Sequence, residues 1–542
     1  MVADKEQEMK FFISNKTETG NKFGKWHYFA DSKCKITEAN GELYIYFGYL
    51  IQGDLESRIV DNFQDLIRAN GSFTVVRLSQ DRLDVIVDYF SRYKVFARQN
   101  GDHVEITNNF GLLSLSRKDL DVDEAHKRMS VPTHLVQRPH VTDRPAGTWT
   151  DYHTENLQGI SARDHNPAIS RTVFRNVYML EPGTQLCVTD HVFRIRLVDY
   201  DKEVSDAFKT KSRFDTVTQL EDHIHECMNT HADSIKKNYK HIHCTVSEGV
   251  DSVLQAMYFK DTVYHKSMYK YTPELTPHQH KQRILDYFGN VYLEDFPLDS
   301  IDEYCKSHAT DPTCLDFDTL PTYGTIKNFP HPIDIMLYGA GGDDVFLHRK
   351  QTVEPQVFQM LLEQGRDNIV ERYNSYLESK DNTYSSRRNI DTPTGYRKLQ
   401  EKYAELDWKN DPEEAIEYVC KQHTFPEDIR DKALPQSLSG TWRGYLYCRQ
   451  ISSECDKEIT SLYHDLNFSH EVMKLPLQTR LEVTMDVSIQ RNIMHNHWNY
   501  NFQTPYKDQA VFNTYKAIKP YYKSSIAHVI KDNLKDLLDN EG

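Results

Sequence analysis

No apolar run in the 542 residues approaches the length of a membrane span, and Met1 to Lys16 lacks the apolar stretch of a secretory signal. Cysteine is present nine times, an odd count without a C-x-x-C pair, which fits free thiols in a reducing compartment. A cytoplasmic protein is therefore expected. Positive charge is in deficit: 65 Lys and Arg stand against 80 Asp and Glu, a net charge of −15. That balance argues against a general nucleic-acid or anionic-membrane surface. No internal repeat stands out, and no glycine loop ends in the Gly-Lys-Ser/Thr of a Walker site. What remains is an ordinary soluble α/β composition, 39% hydrophobic with 33 Tyr and 25 Phe spread along the chain, and long enough for two or more domains.

The most informative stretch is Ser247-Glu248-Gly249-Val250-Asp251-Ser252. It follows a short strand-like run, His241 to Val246, and precedes Asp251 to Tyr258, which has the apolar spacing of a buried helix. A glycine in a strand-to-helix turn lets backbone approach a phosphate, and the N–H groups of the new helix point at that anion. Ser247 and Ser252 add hydroxyl donors, and Asp251 is placed to hold magnesium on the phosphates. The pattern S-x-G-x-D-S belongs to enzymes that split ATP into AMP and pyrophosphate. Taken alone, the same residues would also serve as an ordinary helix cap.

A second glycine-rich turn has a similar setting. Pro332 to Tyr338 reads as a strand running into Gly339-Ala340-Gly341-Gly342-Asp343-Asp344, followed by apolar Val345-Phe346-Leu347. In open α/β sheets, ligands sit outside the carboxyl ends of strands, so both turns are expected to face one pocket. Asp251 and Asp343 would then share one magnesium–pyrophosphate unit. Strand-like runs at 242–246, 263–268, 291–294 and 333–338 alternate with helical stretches, as in a parallel sheet with crossover helices. From about Pro355 the chain reads mostly helical.

With these two turns the chain resembles the asparagine synthetase family, whose relatives include the β-lactam synthetases and lasso-peptide cyclases. The family loop S-G-G-x-D-S is matched except at Glu248, and S-G-E-G-x-D-E-L-F is matched in part by Tyr338 to Phe346. Asp311-Pro312, Leu320-Pro321-Thr322-Tyr323, Pro505-Tyr506-x-Asp508 and Lys523-x-x-Ile526 resemble further family segments in the same order. Gly71 to Val76, Asp88 to Phe96 and Tyr178 to Gly183 extend the likeness into the leader. The resemblance implies an α+β leader, residues 1–205, a β-sandwich of the N-terminal-nucleophile amidohydrolase type. It further implies an α/β parallel-sheet ATP-pyrophosphatase domain, residues 206–542, with a largely helical C-terminal part.

The resemblance implies an AMP-forming carbon–nitrogen ligase. A carboxylate, aspartate by default, would be adenylated by ATP and then attacked by ammonia or an amine. Ser247, Gly249, Asp251, Ser252, Gly339 and Gly341 would bind ATP; Asp251 and Asp343 would hold Mg2+; Asp251, Asp343 and Lys523 would be catalytic. Small molecules are the expected partners, with no nucleic acid and no membrane, and a homodimer is left open. The departures are specific. The first cysteine is Cys34 rather than an initial residue, and the family's oxyanion Asn-Gly is Phe47-Gly48, so no glutaminase activity is expected. Ala340 replaces the glutamate of asparagine-forming relatives, and Ala527 replaces an arginine. A diverged amide ligase on another carboxylate, or a decayed nucleotide-binding scaffold, is the alternative.

Other constellations carry less. His223-x-His225 and His231 fall in an amphipathic helix starting near Thr218; His241-x-His243 falls on a strand, and His495-x-His497 lies further on. Without supporting ligands at metal spacing, hydrogen-bonded or solvent-facing histidines are expected. Arg138 to Thr150 reads as a linker within the leading domain, Glu378 to Thr394 as an exposed insertion inside the synthetase part, Asp411 to Glu414 as a helix start, and Lys535 to Gly542 as a fraying tail.

Overall fold

The computed structural model describes residues 10–122, 150–152, 169–197, 213–295, 329–342, 457–473 and 488–502, apart from 19, 91–92, 173, 181–182, 191, 215, 248, 261–264, 271–277, 290 and 340–341. Among the described residues, the N-terminal region forms two antiparallel sheets of seven strands each. The first runs in the spatial order Ile169–Arg171, Val177–Leu180, Phe96–Asn100, His103–Thr107, Phe11–Ser14, Trp26–Ala30, Asn21–Phe23. The second runs Thr150–Tyr152, Phe193–Leu197, Thr184–Val188, Leu83–Val87, Gly71–Leu78, Glu42–Leu50, Lys35–Ala39.

Alternation along Glu42–Leu50 shows how the layers form. Leu43, Ile45 and Phe47 enter a core shared with Phe11, Ile13 and Trp26 of the facing sheet. Tyr44 and Tyr46 point the other way, onto Leu55 and Ile59 of the helix Leu55–Asn62 and Phe63 of the 3-10 helix after it. A period of two on a pleated strand requires this division. Asp54 caps that helix by accepting from the Ser57 N–H at 2.8 Å. At the strand's end Gly48 adopts φ +98, and a Cβ there would meet Ser72 O at 1.9 Å. Only glycine fits so close to the neighbouring strand. Beyond it Tyr49 and Ile51 leave the sandwich and join the core of the following region.

In that following region the described residues form a parallel sheet of five strands in the order Val291–Asp295, His265–Lys270, Ile242–Thr245, Ile335–Leu337, Glu458–Thr460. All four pairings are parallel. Four of the strands fall where the alternating sequence pattern places them. The fifth, Glu458–Thr460, lies in the stretch expected to be helical. Three residues are too few to show a period, and it is a strand because Ile335–Leu337 offers it a free edge. The helices Leu466–Met473 and Ser488–Trp498 keep the expected character of that stretch. Among the described residues no helix is long and apolar enough to cross a membrane.

The long helix Val217–Asn238 begins one residue before the expected Thr218, at a reciprocal capping box of Thr216 and Gln219. Leu220, Ile224, Met228 and Ile235 form its buried stripe. Its histidines are hydrogen-bonded or stacked. His231 meets the Tyr49 hydroxyl at 2.8 Å, and His225 Nδ1 lies 3.0 Å from the Tyr258 hydroxyl. The His225 ring also stacks on His497, centroids 3.5 Å apart and planes 8° from parallel. Among the described residues no group of three or more His, Cys, Asp or Glu is arranged to hold a metal.

Burial and the neighbouring His497 ring push the His225 imidazole down to about 4. In the unfolded chain the same group titrates near 6.5. Between those values the unfolded chain takes up a proton that the folded ring refuses, so stability falls as pH drops through this window. For a half-buried ring screened by solvent, the loss is on the order of 1–2 kcal/mol. Urea midpoints measured from pH 7 to pH 4 should fall less steeply in His225→Phe, which retains the stack and cannot titrate. Identical slopes in the two proteins would remove His225 as the cause.

Candidate nucleotide site

Ile242–Thr245 and Ile335–Leu337 are adjacent parallel strands, with Ile242 opposite Ile335 and Cys244 opposite Leu337. The chain leaves Ile242–Thr245 to build His265–Lys270 and Val291–Asp295 on one side, then returns to lay down Ile335–Leu337 on the other. The strand order reverses between these two strands, and a crevice opens at such a switch point beyond the carboxyl ends. Both glycine turns emerge there. Thr245 Oγ1 donates to Leu337 O at 3.1 Å and ties the two exits together.

The first turn is closed by its own serines. Ser252 Oγ accepts from the Ser247 N–H at 2.9 Å and lies 2.7 Å from Ser247 Oγ. Ser247 Oγ in turn accepts from the Gly249 N–H at 3.1 Å. Gly249 is the N-cap of the helix Val250–Met257, and Asp251 lies in its first turn. First-turn N–H groups have no acceptor within a helix and carry the positive end of its dipole, so an anion is favoured here. Ser252 is buried, whereas Ser247 is exposed at the mouth of the turn. The Ser252 hydroxyl therefore shapes the loop, and Ser247 is the hydroxyl presented outward.

The second turn packs directly on the first. A Cβ added to Gly339 would stand 2.7 Å from Ser252 Cα and 2.8 Å from Ser252 N. One added to Gly342 would stand 2.2 Å from Asp251 Oδ1 and 2.3 Å from its Cγ. Backbone of the second motif thus lies against the helix start and the aspartate of the first. These glycines are selected by proximity rather than by unusual torsion, since neither has a positive φ. Gly339 and Gly342 join Ser247, Gly249, Asp251 and Ser252 in one locality.

Three side chains absent from the sequence-based set complete the surroundings. Gln490, fully buried on the helix Ser488–Trp498, donates through Nε2 to Asp251 Oδ1 at 3.2 Å. Tyr463 donates its hydroxyl to Asp251 O at 2.8 Å, and buried Gln255 accepts from the Leu462 N–H at 2.9 Å. Thr460 O accepts from the Tyr338 N–H at 2.9 Å, so the end of the fifth strand and the residues that follow it touch both turns. Gln490 carried a readable signal. It sits on the apolar stripe of Ile489, Ile493 and Met494, and a polar residue there needs a partner.

Asp251 is a half-buried carboxylate with one oxygen oriented by an amide, the kind of oxygen ligand a hard cation takes. Its expected partner Asp343 lies outside the described residues, as do Gly341, Lys523, Glu248 and Ala340. The same holds for Asp311-Pro312, Leu320 to Tyr323, Pro505 to Asp508 and Ala527. A separate polar cleft of about 620 Å³ lies where the sandwich meets the later region, lined by Arg68, Asn70, Arg213 and Glu471 among others. Neither glycine turn lines it. Cys227 on its wall is held as a thiol, since burial pushes its pKa up to about 12. No protein-family model matches the chain, and no curated protein matches it.

Proposed function

We propose that the chain is an ATP-dependent, AMP-forming amide ligase of the asparagine synthetase type, with an amidohydrolase-like sandwich leading an ATP-pyrophosphatase domain. The observation that carries this reading is the contact of Gly339 and Gly342 with Ser252 and Asp251 at a switch point between parallel strands. Two glycine turns that close together, with a carboxylate between them and a helix N-terminus behind, suit a polyphosphate and its cation. A simple structural turn has no need of that arrangement.

In this reading Ser247, Gly249 and the first turn of the helix Val250–Met257 bind the phosphates. Asp251 and Asp343 would hold magnesium, which would neutralise charge on the phosphate oxygens. The substrate carboxylate attacks the α-phosphorus, pyrophosphate leaves, and ammonia or an amine then displaces AMP from the acyl-adenylate. Lys523 would stabilise negative charge on the phosphoryl group in transfer. Gln490 orients Asp251 by fixing one carboxylate oxygen. Aspartate is the default acceptor; Ala340 at the position of a family glutamate favours a different carboxylate as the second reading.

Carboxylate-dependent exchange of labelled pyrophosphate into ATP, measured with magnesium across aspartate and a panel of other carboxylic acids, tests the scheme. Exchange with one acid supports it. Tight ATP binding without exchange for any acid would leave only a nucleotide-binding scaffold.

Nitrogen is expected to come from free ammonia or an amine. Phe47 occupies the place of the family's oxyanion asparagine, and its ring is buried in the sandwich core edge-on to Tyr93, centroids 4.4 Å apart. A phenylalanine ring at this position offers no side-chain donor to an oxyanion. Incubation with glutamine should release glutamate no faster than the buffer control. Release above that background would return a glutaminase role to the sandwich.

A further inference from the structure

We propose that Tyr49, a residue of the N-terminal sandwich, is a positioning residue for the nucleotide site, acting through Thr460. The proposal rests on the ligase reading for its kinetic consequence, although the mechanical link can be measured without it.

Tyr49 is the penultimate residue of the strand Glu42–Leu50, yet its side chain belongs to the core of the parallel-sheet region. It is 1% exposed, edge-on to Tyr239 with centroids 5.8 Å apart, and its hydroxyl lies 2.8 Å from His231 Nε2 and 3.2 Å from Thr460 Oγ1. The surrounding seam is polar and specific. Ser234 Oγ donates to Leu50 O at 2.6 Å, and Asn70 accepts from the Leu466 N–H while donating to Asp465 Oδ1. Phe90 stacks on His464 at 4.8 Å. A seam of this kind fixes the register of two bodies rather than merely gluing them.

Thr460 is where that register reaches the site. Its carbonyl holds the Tyr338 N–H, one residue before Gly339. Two and three residues further on, Leu462 holds Gln255 and Tyr463 holds the carbonyl of Asp251. One short segment therefore grips both glycine turns, and the Tyr49 phenol is the sandwich group that reaches its Thr460 hydroxyl. A leader whose own core is filled by Phe47 and Tyr93 retains a role this way: it holds the segment that positions both glycine turns.

The test uses the full chain. In Tyr49→Phe, amide hydrogen exchange without nucleotide should quicken by about tenfold in segments 247–257 and 335–339, while strand Gly71–Leu78 keeps its protection. The KM for magnesium-ATP in pyrophosphate exchange should rise about threefold to tenfold with kcat within about twofold. Thr460→Val should reproduce both effects, and the double variant should add nothing beyond either single change. Unchanged protection in the two segments, or a uniform loss that includes Gly71–Leu78, overturns the proposal. Should the parent protein show no exchange with any carboxylate, the ligase reading fails while hydrogen exchange still decides the link.

Discussion

Asp251→Asn is expected to lower ATP–pyrophosphate exchange by about a hundredfold to a thousandfold, with a melting temperature within about 2 °C of the parent. Asparagine matches aspartate in shape and keeps an oxygen able to accept from Gln490 Nε2, the contact made at 3.2 Å. The backbone carbonyl of the residue, held by Tyr463, is untouched. Packing is thus preserved and only the negative charge is lost. A neutral amide binds a divalent cation far more weakly than a carboxylate does. Asp251→Ala should abolish exchange, but it also leaves the buried Gln490 amide without this acceptor, a cost of about 1 kcal/mol or more. Exchange within tenfold of the parent in Asp251→Asn would remove the metal-ligand role. Equal loss of activity and of melting temperature would reassign Asp251 to structure.

Gly339→Ala should be the more damaging change to both fold and activity. The new methyl would fall 2.7 Å from Ser252 Cα and Cβ and 2.8 Å from Ser252 N, inside any allowed contact. Two of those three atoms are backbone and cannot rotate away. The helix that carries them cannot slide easily either, because Tyr463 and the Gln255–Leu462 bond hold it. Overpacking of this kind costs about 1–3 kcal/mol, so a fall of several degrees in melting temperature is expected together with loss of exchange. Gly289→Ala is the comparison to make. Its φ is +75 with nothing within 4 Å of a Cβ, so it carries backbone strain without a clash and lies away from the turns. It should lose about 1 kcal/mol of stability and no exchange activity. If Gly339→Ala proved no worse than Gly289→Ala, the turns would not be as closely packed as the contacts require.

The readable parts of the site are those written within a few residues. Strand, serine–glycine turn and helix at 242–257 follow from apolar spacing and the torsional freedom of glycine, and the structure places the helix at Val250–Met257. The strand before the second turn is legible in the same way, though it contracts to Ile335–Leu337. Tyr463, Gln255 and Gln490 were not legible as a group, because they meet Asp251 or Leu462 across more than 200 residues of chain. No local pattern encodes such a meeting. Gln490 alone left a trace, as an amide on an apolar stripe.

Residue identity on its own determines which groups are at hand: a carboxylate and hydroxyls around glycines, an aromatic ring at Phe47, and an acidic net charge. These are properties of single side chains and short segments, so they survive without a fold. Packing decides the rest. Whether Gly342 lies on Asp251, whether Tyr49 serves the sandwich or its neighbour, and whether Glu458–Thr460 becomes a strand all depend on surfaces brought together from distant chain. Burial is collective, and a side chain's partner exists only once both surfaces have closed.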